Sequence, residues 1–98
     1  MAEVNWTFQA MEDVEEIAAY IAQSSEKYAS HLVDEFFAAV DHLEKFPKAG
    51  RKVPETNLTS IRELIVHKYR IIYSLPNSDK VDILAVRHSA QPLKDIEG

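Results

Sequence analysis

Residues 3–9 alternate between apolar and polar side chains. Val4, Trp6 and Phe8 fall on one side, and Glu3, Asn5, Thr7 and Gln9 on the other. A period of two predicts a half-buried strand. The period then lengthens. Met11, Val14, Ile17, Ala18 and Ile21 recur at helical spacing, with Glu12, Asp13, Glu15 and Glu16 opposite them or in the first turn, where the helix dipole favours acids. Gln23-Ser24-Ser25 interrupts this helix, and Ser25 is suited to cap a second one that begins with Glu26. Tyr28, Leu32, Phe36, Ala39, Val40 and Leu43 form its stripe as far as about Lys45, and Val33 and Phe37 widen it. The short break predicts an antiparallel helical hairpin.

Pro47 ends the second helix. A loop from Lys48 to Thr59 leads to three strand-like runs: Ile61 to Val66, Tyr69 to Leu75 and Val81 to Val86. His67-Lys68 and Pro76-Asn77-Ser78-Asp79 are the turns, so these strands should pair antiparallel. The expected fold is α+β, in the order β-α-α-β-β-β. A helical hairpin packs on one face of a small, mainly antiparallel sheet, and residues 1–98 form one domain. Gln91 to Gly98 reads as a loose end or a short final strand. The helical hairpin is apolar on overlapping faces through Val33, Phe36, Phe37 and Val40. A four-stranded sheet covers one side, and a disordered protein segment or a second copy of the chain is expected to cover the rest.

Composition narrows the chemistry. The chain has 98 residues, no cysteine and no apolar run near the ~20 residues that span a bilayer. Its start lacks a signal-peptide pattern, so a cytoplasmic protein without disulfides, and with no membrane partner, is expected. The net charge of −5 is unevenly spread: residues 1–44 carry ten acids and one lysine, whereas residues 45–98 carry ten basic residues and six acids. An acidic chain is poorly suited to non-specific nucleic-acid binding, but the basic half can meet an anion or an acidic partner. No phosphate loop or metal-spaced cluster is visible, so neither cofactor nor metal is expected. His31 and His42 lie about three helical turns apart and read as surface residues.

The strands carry the candidate chemistry. Arg70 should project from the sheet face away from the helices, either open to an anion or paired with Glu63 or Asp82. His88 at the end of the last strand is a candidate acid or base, or a capped strand end. Arg62 and Glu63 are neighbours and point to opposite faces, so the one facing the core needs a partner. Several of Arg51, Arg62, Lys68, Arg70 and Arg87 are expected to converge on the open face or its rim, the alternative being local pairing with Glu55, Glu63, Asp79 and Asp82.

In order, Asp13-Val14-Glu15-Glu16-Ile17, Tyr20-Ile21-Ala22, Phe46-Pro47, Gly50-Arg51-x-Val53-Pro54-Glu55, Arg62-Glu63-Leu64, Tyr69-Arg70-Ile71-Ile72-Tyr73 and Ile83-Leu84-x-Val86-x-His88 resemble the ParE/RelE superfamily of type II toxin–antitoxin systems, also called plasmid stabilisation proteins. The resemblance covers nearly the whole chain. It implies a bacterial toxin neutralised by a cognate antitoxin. RelE-like members cleave mRNA in the ribosome; there Arg70 would clamp phosphate, His88 or Arg87 would protonate the leaving group or stabilise charge, and Glu55 would be the base. ParE-like members trap DNA gyrase without nuclease chemistry, and Arg51, Arg62, Arg70 and Arg87 would then meet target or antitoxin. A third kind of member binds its antitoxin without being toxic. The acidic composition, and Ser89-Ala90-Gln91-Pro92 where nuclease members carry an arginine after the final strand, point to the ParE-like branch.

Overall fold

The computed structural model describes residues 1–93. Strand β1 (Glu3–Trp6) is followed by helices α1 (Phe8–Ala22) and α2 (Glu26–Asp41), a 3₁₀ turn (His42–Glu44), and strands β2 (Arg51–Lys52), β3 (Ile61–Val66), β4 (Tyr69–Asn77) and β5 (Lys80–His88). The strands form one sheet in the order β1-β5-β4-β3-β2. β2 to β5 pair antiparallel in sequence order, and β1 pairs parallel with β5, Val4 opposite Val81.

The α+β class and the helical hairpin hold, with two corrections to the strands. The sheet has five strands, because Arg51–Lys52 adds a two-residue edge. The first strand is also shorter than its alternation suggests, and Phe8 is an exposed helical residue. Thr7 stops the strand. Its hydroxyl accepts the Ala10 N–H at 3.1 Å and donates to the Ile83 carbonyl at 2.7 Å, capping α1 and tying it to β5. Ser25 caps α2 by accepting the Tyr28 N–H at 3.0 Å. The His67-Lys68 turn is tight, and His67 takes a positive φ of 54°.

Two cores result. Between helices and sheet, Val14, Leu32, Phe36, Val40, Leu43, Ile71, Tyr73, Val81, Ile83 and Val86 are buried. Each such side chain removed from water stabilises the fold by about 1.5–3 kcal/mol. Phe37 rests on Trp6 with ring centroids 5.1 Å apart, so the wide stripe of α2 is largely used internally. The apolar residues left bare on the helical hairpin are Phe8, Tyr20 and Tyr28 instead of Val33, Phe36, Phe37 and Val40. On the other side of the sheet, Val53, Ile61, Ile72, Ala85 and Leu93 form a smaller core. The loop after β2 and the segment after β5 therefore fold over the face that the alternation leaves open. Residues 94–98, the end of the expected loose tail, lie outside the described residues.

Gly50 and Tyr73 join these layers. The Tyr73 hydroxyl accepts the Gly50 N–H and donates to the Pro47 carbonyl, both at 2.9 Å. A β-carbon on Gly50 would lie 2.6 Å from both the Glu63 carbonyl and the Tyr73 hydroxyl. Only glycine lets the chain pass this close to β3.

Candidate functional site

The alternation of β4 sends Tyr69, Ile71 and Tyr73 towards the helices and Arg70 and Ile72 to the outer face. Arg70 thus emerges on the expected side, but that side is not open. Its side chain is 6% exposed, and that of Glu63 on β3 is fully covered. Arg70 Nε donates to Glu63 Oε1 at 2.6 Å, while Nη1 and Nη2 donate to Glu55 Oε2 and Oε1, both at 2.7 Å. Arg51 Nε, from the edge strand, donates to Glu63 Oε2 at 2.6 Å. Arg51, Glu63, Arg70 and Glu55 therefore alternate in sign and sum to zero charge. Asp82, the other partner weighed for Arg70, lies against Asn5 at 3.5 Å instead.

The electrostatics follow from these contacts. The bidentate hydrogen bonds from Arg70 hold the Glu55 carboxyl below its ordinary value, opposed by partial desolvation and helped by the Arg70 charge and by backbone N–H groups of Glu55 and Leu93. The same hydrogen bonds, donated to Glu55, raise Arg70 above its ordinary value, against the cost of burial, with Glu63 adding to the rise. Glu63 is the member of the Arg62-Glu63 pair that points into the outer core, and its partners are the two arginines. Arg62 points the other way. Its Nη1 donates to the Gly50 carbonyl at 2.8 Å, and its Nε is buried without a hydrogen-bond partner among the described residues.

His88 lies on the helix side. It is the register partner of Tyr69, and the two rings meet edge to face, 5.6 Å between centroids. Its Nδ1 accepts the Ala90 N–H at 3.1 Å. Arg87 is the register partner of Arg70, and its Nε lies 4.0 Å from Asp13 Oδ2. The fold thus joins Arg51, Arg70 and Glu55 in one network, brings the Arg87 guanidinium to Asp13 of α1, and sends His88 and Arg62 to the opposite face. The five basic residues do not converge as free charges. Arg51 and Arg70 are locally paired with carboxylates, Arg62 faces elsewhere and Lys68 occupies the β3–β4 turn.

Asp13 is a residue that the amphipathic pattern misassigns. It is buried and accepts the Val86 N–H at 2.9 Å and the Gln9 side-chain amide at 2.8 Å. β1 ends at Trp6, so β5 needs an acceptor beyond that point, and Asp13 supplies it. Its spacing from Ala10 and Val14, on the buried stripe, is the signal that the sequence offers. Among the described residues, no group of three or more His, Asp or Glu is placed to hold a metal ion, and no helix is long and apolar enough to cross a membrane.

Residues 4–93 match the model of the ParE toxin of type II toxin–antitoxin systems. This chain belongs to the ParE toxin family. Toxin RelE2 of Caulobacter vibrioides is 33% identical over 91 residues, 93% of this chain and 99% of that protein. A toxin candidate of Sinorhizobium fredii, Y4kP, is 33% identical over 88 residues, 90% of this chain and 88% of that one. Among solved structures, the chromosomal ParDE system of P. aeruginosa superposes with a TM-score of 0.73 at 19% identity, covering 90% of this chain and 96% of that one. The RelBE2 toxin–antitoxin complex of Mycobacterium tuberculosis gives 0.64 at 19% identity, covering 89% and 96%. These structural likenesses are of fold. The ParE-family match spans both cores and the whole Arg51–Glu63–Arg70–Glu55 network.

Proposed function

We propose that this ParE-family toxin arrests growth by acting on DNA gyrase and is held inactive in the cytoplasm by a cognate antitoxin. The observation that carries the reading is the separation of the residues that RNA cleavage would need. Transfer of a 2′-hydroxyl proton, phosphate clamping and leaving-group protonation must meet at one phosphate. Arg70 and Glu55 are locked to each other on the outer face, and His88 is on the helix side. Neutralised by Glu55 and Glu63, Arg70 offers no free charge to an RNA backbone. The exposed Phe8, Tyr20 and Tyr28 supply the apolar surface that an antitoxin segment would cover as it folds on binding. A homodimer through the same surface is the competing cover.

The second reading, a ribosome-dependent mRNA endonuclease, draws on the 33% identity to a protein named RelE2. It requires the Glu55 carboxylate, whose side chain is 34% exposed, to swing away from Arg70. Toeprinting of translated mRNA with the purified chain separates the two. The gyrase reading expects no cuts at A-site codons, and clean cuts there would overturn it.

A further inference from the structure

We infer that the cleft between the β2 edge and the β4–β5 turn is a docking site for an acidic peptide segment of a protein partner, anchored by an apolar side chain. The cleft encloses about 960 Å³. It lies on the helix side of the sheet, away from the Arg70 network. Phe46, Pro47 and Leu75 line it, and Lys48, Lys52 and Arg62 stand in the same wall, with no carboxylate lining it among the described residues. In a chain of net charge −5, that is a local reversal of sign.

Two observations specify the occupant. Phe46 is 55% exposed, yet it is held in place by the His42 ring, 4.8 Å away between centroids. An uncovered aromatic in a concave wall fits an apolar anchor. Arg62 is the second. Arg51 and Arg70 each bind a glutamate, whereas the hydrogen bonds of Arg62 go to the Gly50 and Lys48 carbonyls, at 2.8 and 3.4 Å, and its enclosed Nε has no partner among the described residues. A half-buried guanidinium bound only to carbonyls retains its full charge, and a carboxylate satisfies it. Lys48 and Lys52 would steer that carboxylate in. Nucleic acid fits less well. Three cations in a largely apolar wall neutralise few phosphates.

The inference is independent of whether gyrase or mRNA is the target. It is tested by titrating the isotope-labelled full chain with the N-acetylated, C-amidated peptide Glu-Leu-Glu-Phe-Glu-Leu. The counterpart with Lys for Glu and a short oligothymidylate are titrated in parallel. The acidic peptide should shift the amide resonances of Phe46, Lys48, Lys52 and Asn77 saturably. Lys48→Glu combined with Lys52→Glu should weaken it by about tenfold or more. Lys27→Glu, on the far end of α2, should leave it unchanged. Absent or equal binding of the two peptides, or shifts centred elsewhere, would overturn the inference. So would oligothymidylate shifting the same resonances as strongly, or cleft resonances that move on dilution of the chain alone, which would put a second copy there.

Discussion

Arg70 and His88 occupy adjacent rungs of the β4–β5 ladder and point to opposite faces of the sheet. Arg70 pairs with Arg87, and Tyr69 with His88. A one-residue offset between paired strands reverses the face. The two residues cannot meet at one phosphate without a change of register. His88→Ala is therefore expected to leave growth arrest undiminished when the protein is induced without its antitoxin. Colony counts after induction measure this, and full loss of toxicity in a folded variant would restore His88 to the chemistry.

Arg70→Ala is expected to destabilise the fold by about 3–5 kcal/mol, because it leaves the buried Glu63 with Arg51 as its remaining cation. Glu55→Gln, on the exposed side of the network, should cost about 1 kcal/mol. Urea denaturation of both variants checks the order. A fully stable Arg70→Ala protein would mean that the outer face is open, as the strand pattern alone suggests.

Acid should weaken the same network. The folded-state value of Glu55 lies below its ordinary 4.5, so its ionised form stabilises the fold above that value. The contribution declines as pH falls below about 4.5 and is gone below the depressed folded value. Thermal melts of wild type and Glu55→Gln should differ at pH 7 and converge once acid protonates the Glu55 carboxyl in the folded state. A constant gap would show that the ion pair is not responsible.

The Gly50–Tyr73 junction gives a sharper test of packing. Tyr73→Phe leaves a buried N–H and a carbonyl without their shared partner, at about 1–3 kcal/mol. Gly50→Ala should be worse, since its β-carbon meets backbone as well as the phenol ring. Denaturant midpoints rank the two, and a Gly50→Ala variant as stable as wild type would refute the close approach.

The helices and the last three strands are legible in the sequence because their periods, 3.6 and 2, persist for several residues and Ser25 marks a boundary. The end of β1 is hidden because the alternation runs through Phe8, although Thr7 carries a capping signal. The parallel partner of β1 lies 77 positions away, Val4 against Val81, and no local pattern encodes it. The candidate site is legible as residue types but not as an arrangement. Whether Arg70 faces solvent depends on the loop carrying Val53 and Glu55 and on Leu93 folding over the outer face. Neither has a periodic signature. Asp13 escapes the pattern because an acid among acids on an amphipathic helix reads as solvated, whereas the truncated β1 strand makes it an acceptor for Val86.

The relative timing of DNA and protein synthesis after induction tests the central claim most directly. Pulse labelling with thymidine and with methionine, at short intervals after expression without antitoxin, reads both in one culture. A gyrase-directed toxin should cut thymidine incorporation first, while methionine incorporation continues. Early collapse of methionine incorporation, with DNA synthesis sustained, would contradict the account and assign the chain to translation.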